Sequence, residues 1–355
     1  MEKYIGCDAH KRYSVFVSMN GHGESGHPVR VEHNRSLFRK YLTNLPPGSR
    51  IAVESVGNWY WMIDEMERAG HNPMLVHPVK AKMMMGQINK TDKLDARGLA
   101  LLLRNGTLPT VWIPPGEIRD KRELPRMRMC LVRIRTTLKN RIHATLSKYA
   151  VDIQEVSDIF GKTGRMLLRD RLGTLPPYTS HSLGQHLDLL DQLQIHIIEC
   201  ERQIEAVVQT TKTMKLVSTL PGVGKILTVV ITLEIGDVSR FPGPEHLASY
   251  SGTVPRIKSS GGKNYYGKVR PDVNRYLKWA FVEAANSIVI HQNHYPDRHV
   301  IRLYRRIRER KGHPKAVVAV ARHLAEATYW MLKKNESYKE PISSTRKSTR
   351  EIHET

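Results

Sequence analysis

Asp92 and Asp95 stand three residues apart in the run Lys90-Thr91-Asp92-Lys93-Leu94-Asp95-Ala96-Arg97. The run opens a predicted helix. Thr91 suits the N-cap, Leu94, Leu99, Leu101, Leu102 and Leu103 supply apolar mass, and Asn105-Gly106 stops it. Side chains three apart on a helix share a face, so both carboxylates project together. Two readings fit the pair. Either both acids complement the positive N-terminal end of the helix dipole, or they are half of a metal site, which needs carboxylates from elsewhere in the fold.

Two short apolar segments supply them. Tyr4-Ile5-Gly6-Cys7-Asp8 and Ile51-Ala52-Val53-Glu54 each read as a buried strand ending in an acid. Around them, Tyr13, Val15, Val17 and Met19 alternate as the second strand of a hairpin, and 28–32 forms a third strand. Helices are predicted over 36–45 and 59–69, with a strand at 74–76. Strands first, then strand–helix alternation, define an α/β domain with a mixed sheet over residues 1–115. Functional groups in open α/β sheets gather at the carboxyl ends of strands. Asp8, Glu54, Asp92 and Asp95 are therefore expected to converge. Four carboxylates in one cleft repel strongly without a cation, and an all-oxygen donor set selects Mg²⁺. Such an ion stabilises an attacking or leaving oxygen at phosphorus.

Composition points the same way. The chain has 355 residues, with 56 Lys and Arg against 34 Asp and Glu, a net charge of +22. A surplus of that size in a chain of ordinary apolar content implies a folded protein with a polyanionic partner. No apolar run reaches membrane-spanning length and no signal peptide opens the chain, so nucleic acid rather than membrane is the expected partner. Cys7, Cys130 and Cys200 lie far apart, which excludes a disulfide framework and zinc-finger spacing and fits a reducing cytoplasm.

Residues 116–213 are helical in pattern. Leu124, Leu131 and Leu138 fall seven apart, with Ile142 and Tyr149 continuing the stripe. Around it lie Arg122, Arg126, Arg128, Arg133, Arg135, Lys139 and Arg141. A long helix is predicted, with Pro125 in its first turn or at its start. These cations form a solvated face or follow a phosphate backbone. Mutual repulsion among seven of them, with few acids between, favours the backbone. After a connection over 161–182, Leu183, Leu190, Ile197 and Ile204 again fall seven apart, with Leu193, Cys200 and Val207 three beyond the latter three. This is a coiled-coil seam or one helix of an antiparallel pair, within one chain or between two.

Residues 214–335 carry two further signals. Leu220-Pro221-Gly222-Val223-Gly224-Lys225, followed by an apolar helix over 226–235, reads as a helix–hairpin–helix turn or as an ordinary tight turn. In the first case Gly222, Gly224 and Lys225 bring backbone N–H groups and a cation to a phosphate. The stretch 250–263 is dense in hydroxyls, glycines and cations. A serine on such a loop, among Arg256, Lys258 and Lys263, can present its Oγ to a phosphate held by those charges. From 336 to 355 the chain is polar and basic and is expected to be disordered.

Gly6-Cys7-Asp8, Val53-Glu54-Ser55-Val56-Gly57 and the block at 90–97 resemble the D–E–D–D signature of the DEDD insertion-sequence transposases, a family that includes the Piv-type DNA invertases. Cys7 departs from the aliphatic residue expected there. The 250–280 region resembles the C-terminal domain of the same family, through Gly267, Arg270 and the helix at 274–280. The resemblance runs collinearly from 4 to about 334. It implies an N-terminal RNase H-like domain similar to the Holliday-junction resolvase RuvC, a helical coiled-coil middle and a mainly α C-terminal domain. It implies that Asp8, Glu54, Asp92 and Asp95 hold Mg²⁺. Ser260, with Ser259 as its neighbour, would attack the scissile phosphate to form a phosphoserine link to donor or target DNA. Religation of such a link needs no ATP. A structured noncoding guide RNA, held by the basic middle helices, and dimers pairing into a tetramer are also implied. Two other functions remain open: a Holliday-junction-type nuclease using the acids and water, and a non-enzymatic nucleic-acid-binding protein.

Overall fold

The structure is a computed structural model that describes residues 3–86, 91–208 and 211–341. Lys90 and most of the polar tail, 342–355, lie outside the described residues. The chain divides into two compact units, Met1–Pro114 and Pro115–Thr355, so 116–213 shares a unit with the C-terminal region.

The first unit is mixed α/β. Its elements are β1 (Tyr4–Ala9), β2 (Tyr13–Met19), β3 (Val29–Glu32), α1 (Arg35–Thr43), β4 (Arg50–Glu54), α2 (Trp59–Arg68), β5 (Asn72–Val76), α3 (Pro78–Met85) and α4 (Asp92–Arg104). The five strands form one mixed sheet in the order β3-β2-β1-β4-β5. β1, β2 and β3 are antiparallel, while β4 and β5 run parallel to β1, with Cys7 opposite both Phe16 and Val53. This arrangement is consistent with an RNase H-like domain.

Side chains alternate across a strand, so β1 divides its residues between two layers. Ile5, Cys7 and Ala9 pack with Phe38, Leu42, Met62 and Met66 of α1 and α2. Gly6 and Asp8 face the other way, toward α4. A Cβ on Gly6 would lie 1.9 Å from the Ala96 carbonyl oxygen, so only glycine lets α4 lie this close on the central strand. Burial makes the Cys7 thiol hard to ionise, and it packs as a small apolar side chain on β1.

The second unit is helical apart from one hairpin. α5 (Gly116–Lys148), α6 (Lys162–Asp170) and α7 (Pro177–Val208) precede α8 (Lys212–Val217), α9 (Lys225–Ile235) and α10 (Pro244–Tyr250). The hairpin β6 (Pro255–Ser260) and β7 (Lys263–Val269) leads to α11 (Arg275–Ile290), α12 (His299–Lys311) and α13 (His313–Lys334). Leu138, Ile142 and Leu146 of α5 bury against Leu183, Leu187, Leu190 and Leu193 of α7. Arg128 meets Glu201 at 2.6 Å and Arg135 meets Gln194 at 2.9 Å, so the helices run antiparallel within the chain. The sequence places Pro125 in the first turn of the long helix or at its start. The helix instead begins at Gly116, with Pro125 buried inside it, because Arg119 and Arg122 also lie on the buried side and anchor the extra turns. A second core joins α9 to α13, including Ile231, Leu247, Phe281, Val317 and Leu324. Residues 336–341, expected to be disordered, include Tyr338, which packs against this core and whose backbone N–H donates to the Thr219 hydroxyl at 2.9 Å. Among the described residues no helix is long and apolar enough to cross a membrane.

Candidate active site

α4 runs antiparallel to β1, so its N-terminal turn comes to the strand end that carries Asp8. Thr91 caps the helix by accepting from the Leu94 N–H at 3.3 Å, which sets Asp92 and Asp95 in the first turn. Asp8 is nearly buried, and Asp92 is partly exposed. The ring of His10 stands between them, with Nε2 at 3.2 Å from an oxygen of each. One donor atom from each of Asp8, His10 and Asp92 lies within 4.8 Å of the others, the one such metal-competent group among the described residues. The Tyr13 hydroxyl donates to Asp92 at 3.0 Å. That bond raises the Tyr13 pKa, because Asp92 holds the phenolic proton. Arg30 covers the Tyr13 ring at 3.7 Å.

Glu54 ends β4 immediately after the Cys7–Val53 pairing and therefore neighbours Asp8 in the sheet. Asp95 lies one turn beyond Asp92. Neither belongs to the three-residue group. Of the four acids expected from sequence, Asp8 and Asp92 converge here, joined by His10. Two carboxylates and an imidazole around one point fit a divalent cation, and the nitrogen donor widens the choice beyond Mg²⁺ toward the transition metals. Sequence reasoning missed His10 and Tyr13. His10 was visible as the residue two beyond Asp8, on the same face of an extended chain.

The serine region is not a loop but the exposed tip of the β6–β7 hairpin. Gly261 and Gly262 form its turn with φ of +55° and +73°, a conformation glycine adopts without strain. Ser260 pairs with Lys263 and Lys258 with Tyr265, whereas Ser259 pairs with Asn264 and Ile257 with Tyr266. Opposed residues in an antiparallel ladder share a face. Ser260 therefore stands with Lys258 and Lys263, and Ser259 stands with Ile257 and Tyr266 on the reverse. Arg256 lies at an irregularity in the ladder.

The expected nucleic-acid contacts divide sharply. Arg122 is buried, donates to the Leu233 and Glu234 carbonyls, and is pulled below its ordinary pKa by burial. Arg126 grips Glu234. Both are internal ties rather than a surface for phosphate. Arg135 bonds Gln194 and Lys139 lies over Phe160 at 4.5 Å. Arg133 and Arg141 are exposed. Lys225 pairs with Glu205 at 2.7 Å. Gly222 has a physical reason of its own: φ is +73°, and a Cβ would lie 2.2 Å from the Ala284 carbonyl oxygen of α11. Its place is set by helix packing. At Gly224 a Cβ would meet nothing.

Comparison with known proteins follows these two regions. Residues 5–151 match a DEDD-type IS110 domain family described as "Transposase", and residues 214–300 match "Transposase IS116/IS110/IS902 family". The chain is 25% identical over 341 residues to "Transposase for insertion sequence element IS1111A" of Coxiella burnetii, covering 95% of this chain and 91% of that one. It is 27% identical over 294 residues to "Probable family 20 transposase" of Pseudomonas aeruginosa, covering 80% and 83%. It is 24% identical over 305 residues to the "Pilin gene-inverting protein" of Moraxella bovis, covering 82% of each. With both regions matched in chain order, the chain belongs to the IS110/IS116/IS902 transposase family and is an enzyme of the DNA transposase and recombinase class.

Proposed function

We propose that this enzyme cuts and rejoins the DNA of a mobile insertion sequence through a phosphoserine link at Ser260, with a divalent cation held by Asp8, His10 and Asp92. The observation that carries the reading is the convergence of those three side chains, from a strand end and a helix start, inside the matched region 5–151. Mg²⁺ is the proposed ion, and Glu54 and Asp95 are proposed as flanking acids of the same site. When bound, such an ion neutralises charge on the oxygens around phosphorus.

The residues divide the remaining work. Tyr13 holds the Asp92 carboxylate in one orientation. Lys258 and Lys263, on the face of Ser260, neutralise the phosphate as charge builds on it. The Ser260 Oγ forms a bond to phosphorus and gives up its proton. The scissile P–O bond breaks, and the leaving oxygen takes up a proton. Attack by a different DNA end reverses these steps and frees the serine. Arg133, Arg141 and Arg256 contact phosphates. An RNase H-like fold similar to RuvC, a guide RNA, dimers pairing into a tetramer, and a cytoplasmic, nucleoid-associated location complete the reading, on the family resemblance.

The test is to trap the reaction on a donor DNA and map the adduct. A peptide carrying DNA on Ser260, absent in Ser260→Ala, is the expected result. Cleavage by Ser260→Ala with free ends and no adduct overturns it. That result would support a second reading, a nuclease using water, which is favoured by one observation: the Asp–His–Asp group is complete within residues 8–92.

A further inference from the structure

A groove of about 860 Å³ lies between α5 and α11 in the helical unit. Its α11 side presents Tyr276 and Trp279, and its α5 side presents Arg133 and Cys130. The Arg126 guanidinium covers the Tyr276 ring at 4.5 Å. Glu234 holds that guanidinium through two hydrogen bonds, so the aromatic wall is fixed before any ligand arrives. Arg275 sits at the start of α11, whose N-cap is Asn274. Arg133 and Arg275 are exposed. Among the described residues neither has an acid partner. Among the described residues Glu283 is the one acid that lines the groove.

Flat π-surfaces beside unpaired guanidinium groups match a particular ligand chemistry, an aromatic ring carried on an anionic chain. Unpaired nucleotides have it. Every base has a π-face to stack, and every linkage carries a phosphate. A paired duplex hides those faces in its own stack. An apolar peptide would leave the two arginines unsatisfied.

We propose that this groove takes an unpaired nucleotide of a DNA or RNA strand, with its base against Trp279 and its phosphates on Arg133 and Arg275. The inference rests on the recombinase reading for the nature of its partner. It adds a site that distinguishes single strands from duplex, away from both the Asp–His–Asp group and Ser260 in the sequence.

The chain carries its own reporter. Cys130 is exposed in the groove, whereas Cys7 and Cys200 are buried. Alkylation of the intact protein by a maleimide therefore reads Cys130. The rate is measured with a single-stranded DNA, an RNA of the same sequence and the corresponding DNA duplex, with strand cleavage followed in parallel. Single strands should slow alkylation about tenfold at saturation and the duplex should not. Trp279→Ala and the pair Arg133→Ala with Arg275→Ala should each raise the half-protecting concentration about tenfold, and Trp279→Phe should stay near the parent. Stronger protection by RNA assigns the site to an RNA partner, and stronger protection by DNA to a displaced strand. Equal protection by duplex, protection unchanged in Trp279→Ala, or slowing that follows protein concentration alone would overturn the proposal. Cleavage without protection rejects the groove and leaves the recombinase reading standing.

Discussion

The Arg126 guanidinium grips the Glu234 carboxylate with two hydrogen bonds, of 2.8 and 3.1 Å, across 108 residues of sequence. Glu234 is 1% exposed and also accepts from the Asn274 side chain at 2.9 Å. Asn274 in turn caps α11 by accepting from the Tyr276 and Leu277 N–H groups. One buried carboxylate thus fastens α5, α9 and the start of α11 together, and turns two arginines of a basic helix inward.

Glu234→Gln should therefore destabilise the helical unit strongly. It removes the charge that faces buried Arg122 and leaves Arg126 the longer contact with Glu123 at 3.6 Å, and breaking a buried pair costs about 3–5 kcal/mol. Chemical denaturation followed by the far-ultraviolet signal measures it. Loss below about 1 kcal/mol would show that Arg122 is held by its backbone carbonyls alone.

Divalent cation binding should depend on Asp8, His10 and Asp92. Mn²⁺ or Mg²⁺ should raise the melting temperature of the parent, as any ligand specific to the folded state does. Asp8→Asn and Asp92→Asn should lose that rise and strand cleavage together. Glu54→Gln and Asp95→Asn should weaken cation binding less, since neither belongs to the converging group. An equal loss in all four variants would restore a four-carboxylate site.

Hairpin register makes Ser259 and Ser260 unequal. Ser259→Ala should keep adduct formation, while Ser260→Ala should lose it entirely. Lys258→Ala or Lys263→Ala should slow the step on the order of 10²-fold, as loss of one charge-stabilising donor does. Peptide mapping of the adduct is the measurement. An adduct on Ser259 would reverse the assignment of faces.

Salt dependence should separate outward from inward cations. Replacing Arg133 and Arg141 by alanine should lower the slope of log K against log salt by about 2, one unit per phosphate contact. Arg135→Ala should change it less, because that side chain is bonded to Gln194. Filter binding across a salt series gives the slopes.

Gly6→Ala should act on the active site through packing. The added methyl meets the Ala96 carbonyl at 1.9 Å, so α4 must move off β1. A cost of about 1–3 kcal/mol is expected from overpacking. Cation binding should weaken as well, since α4 carries Asp92.

Sequence alone determined the local elements. Alternation in Tyr4–Ala9 and Tyr13–Met19 encodes a hairpin, and leucines seven apart in α5 and α7 encode two long helices. Both patterns record a burial period that each segment imposes on itself. Thr91 and the paired aspartates marked the start of α4 for the same reason. The tertiary structure decided what those residues meet. It brought His10 rather than Glu54 and Asp95 into the Asp8–Asp92 group, because the strand end and the helix start fix direction as well as proximity. It turned Arg122 and Arg126 onto Glu234, and no local pattern records a partner more than a hundred residues away. It placed Gly222 against Ala284 for close packing. It also put Ser260 on the lysine face of a hairpin, since a one-residue shift in strand pairing exchanges the two faces and only the paired backbone fixes which one each serine shares.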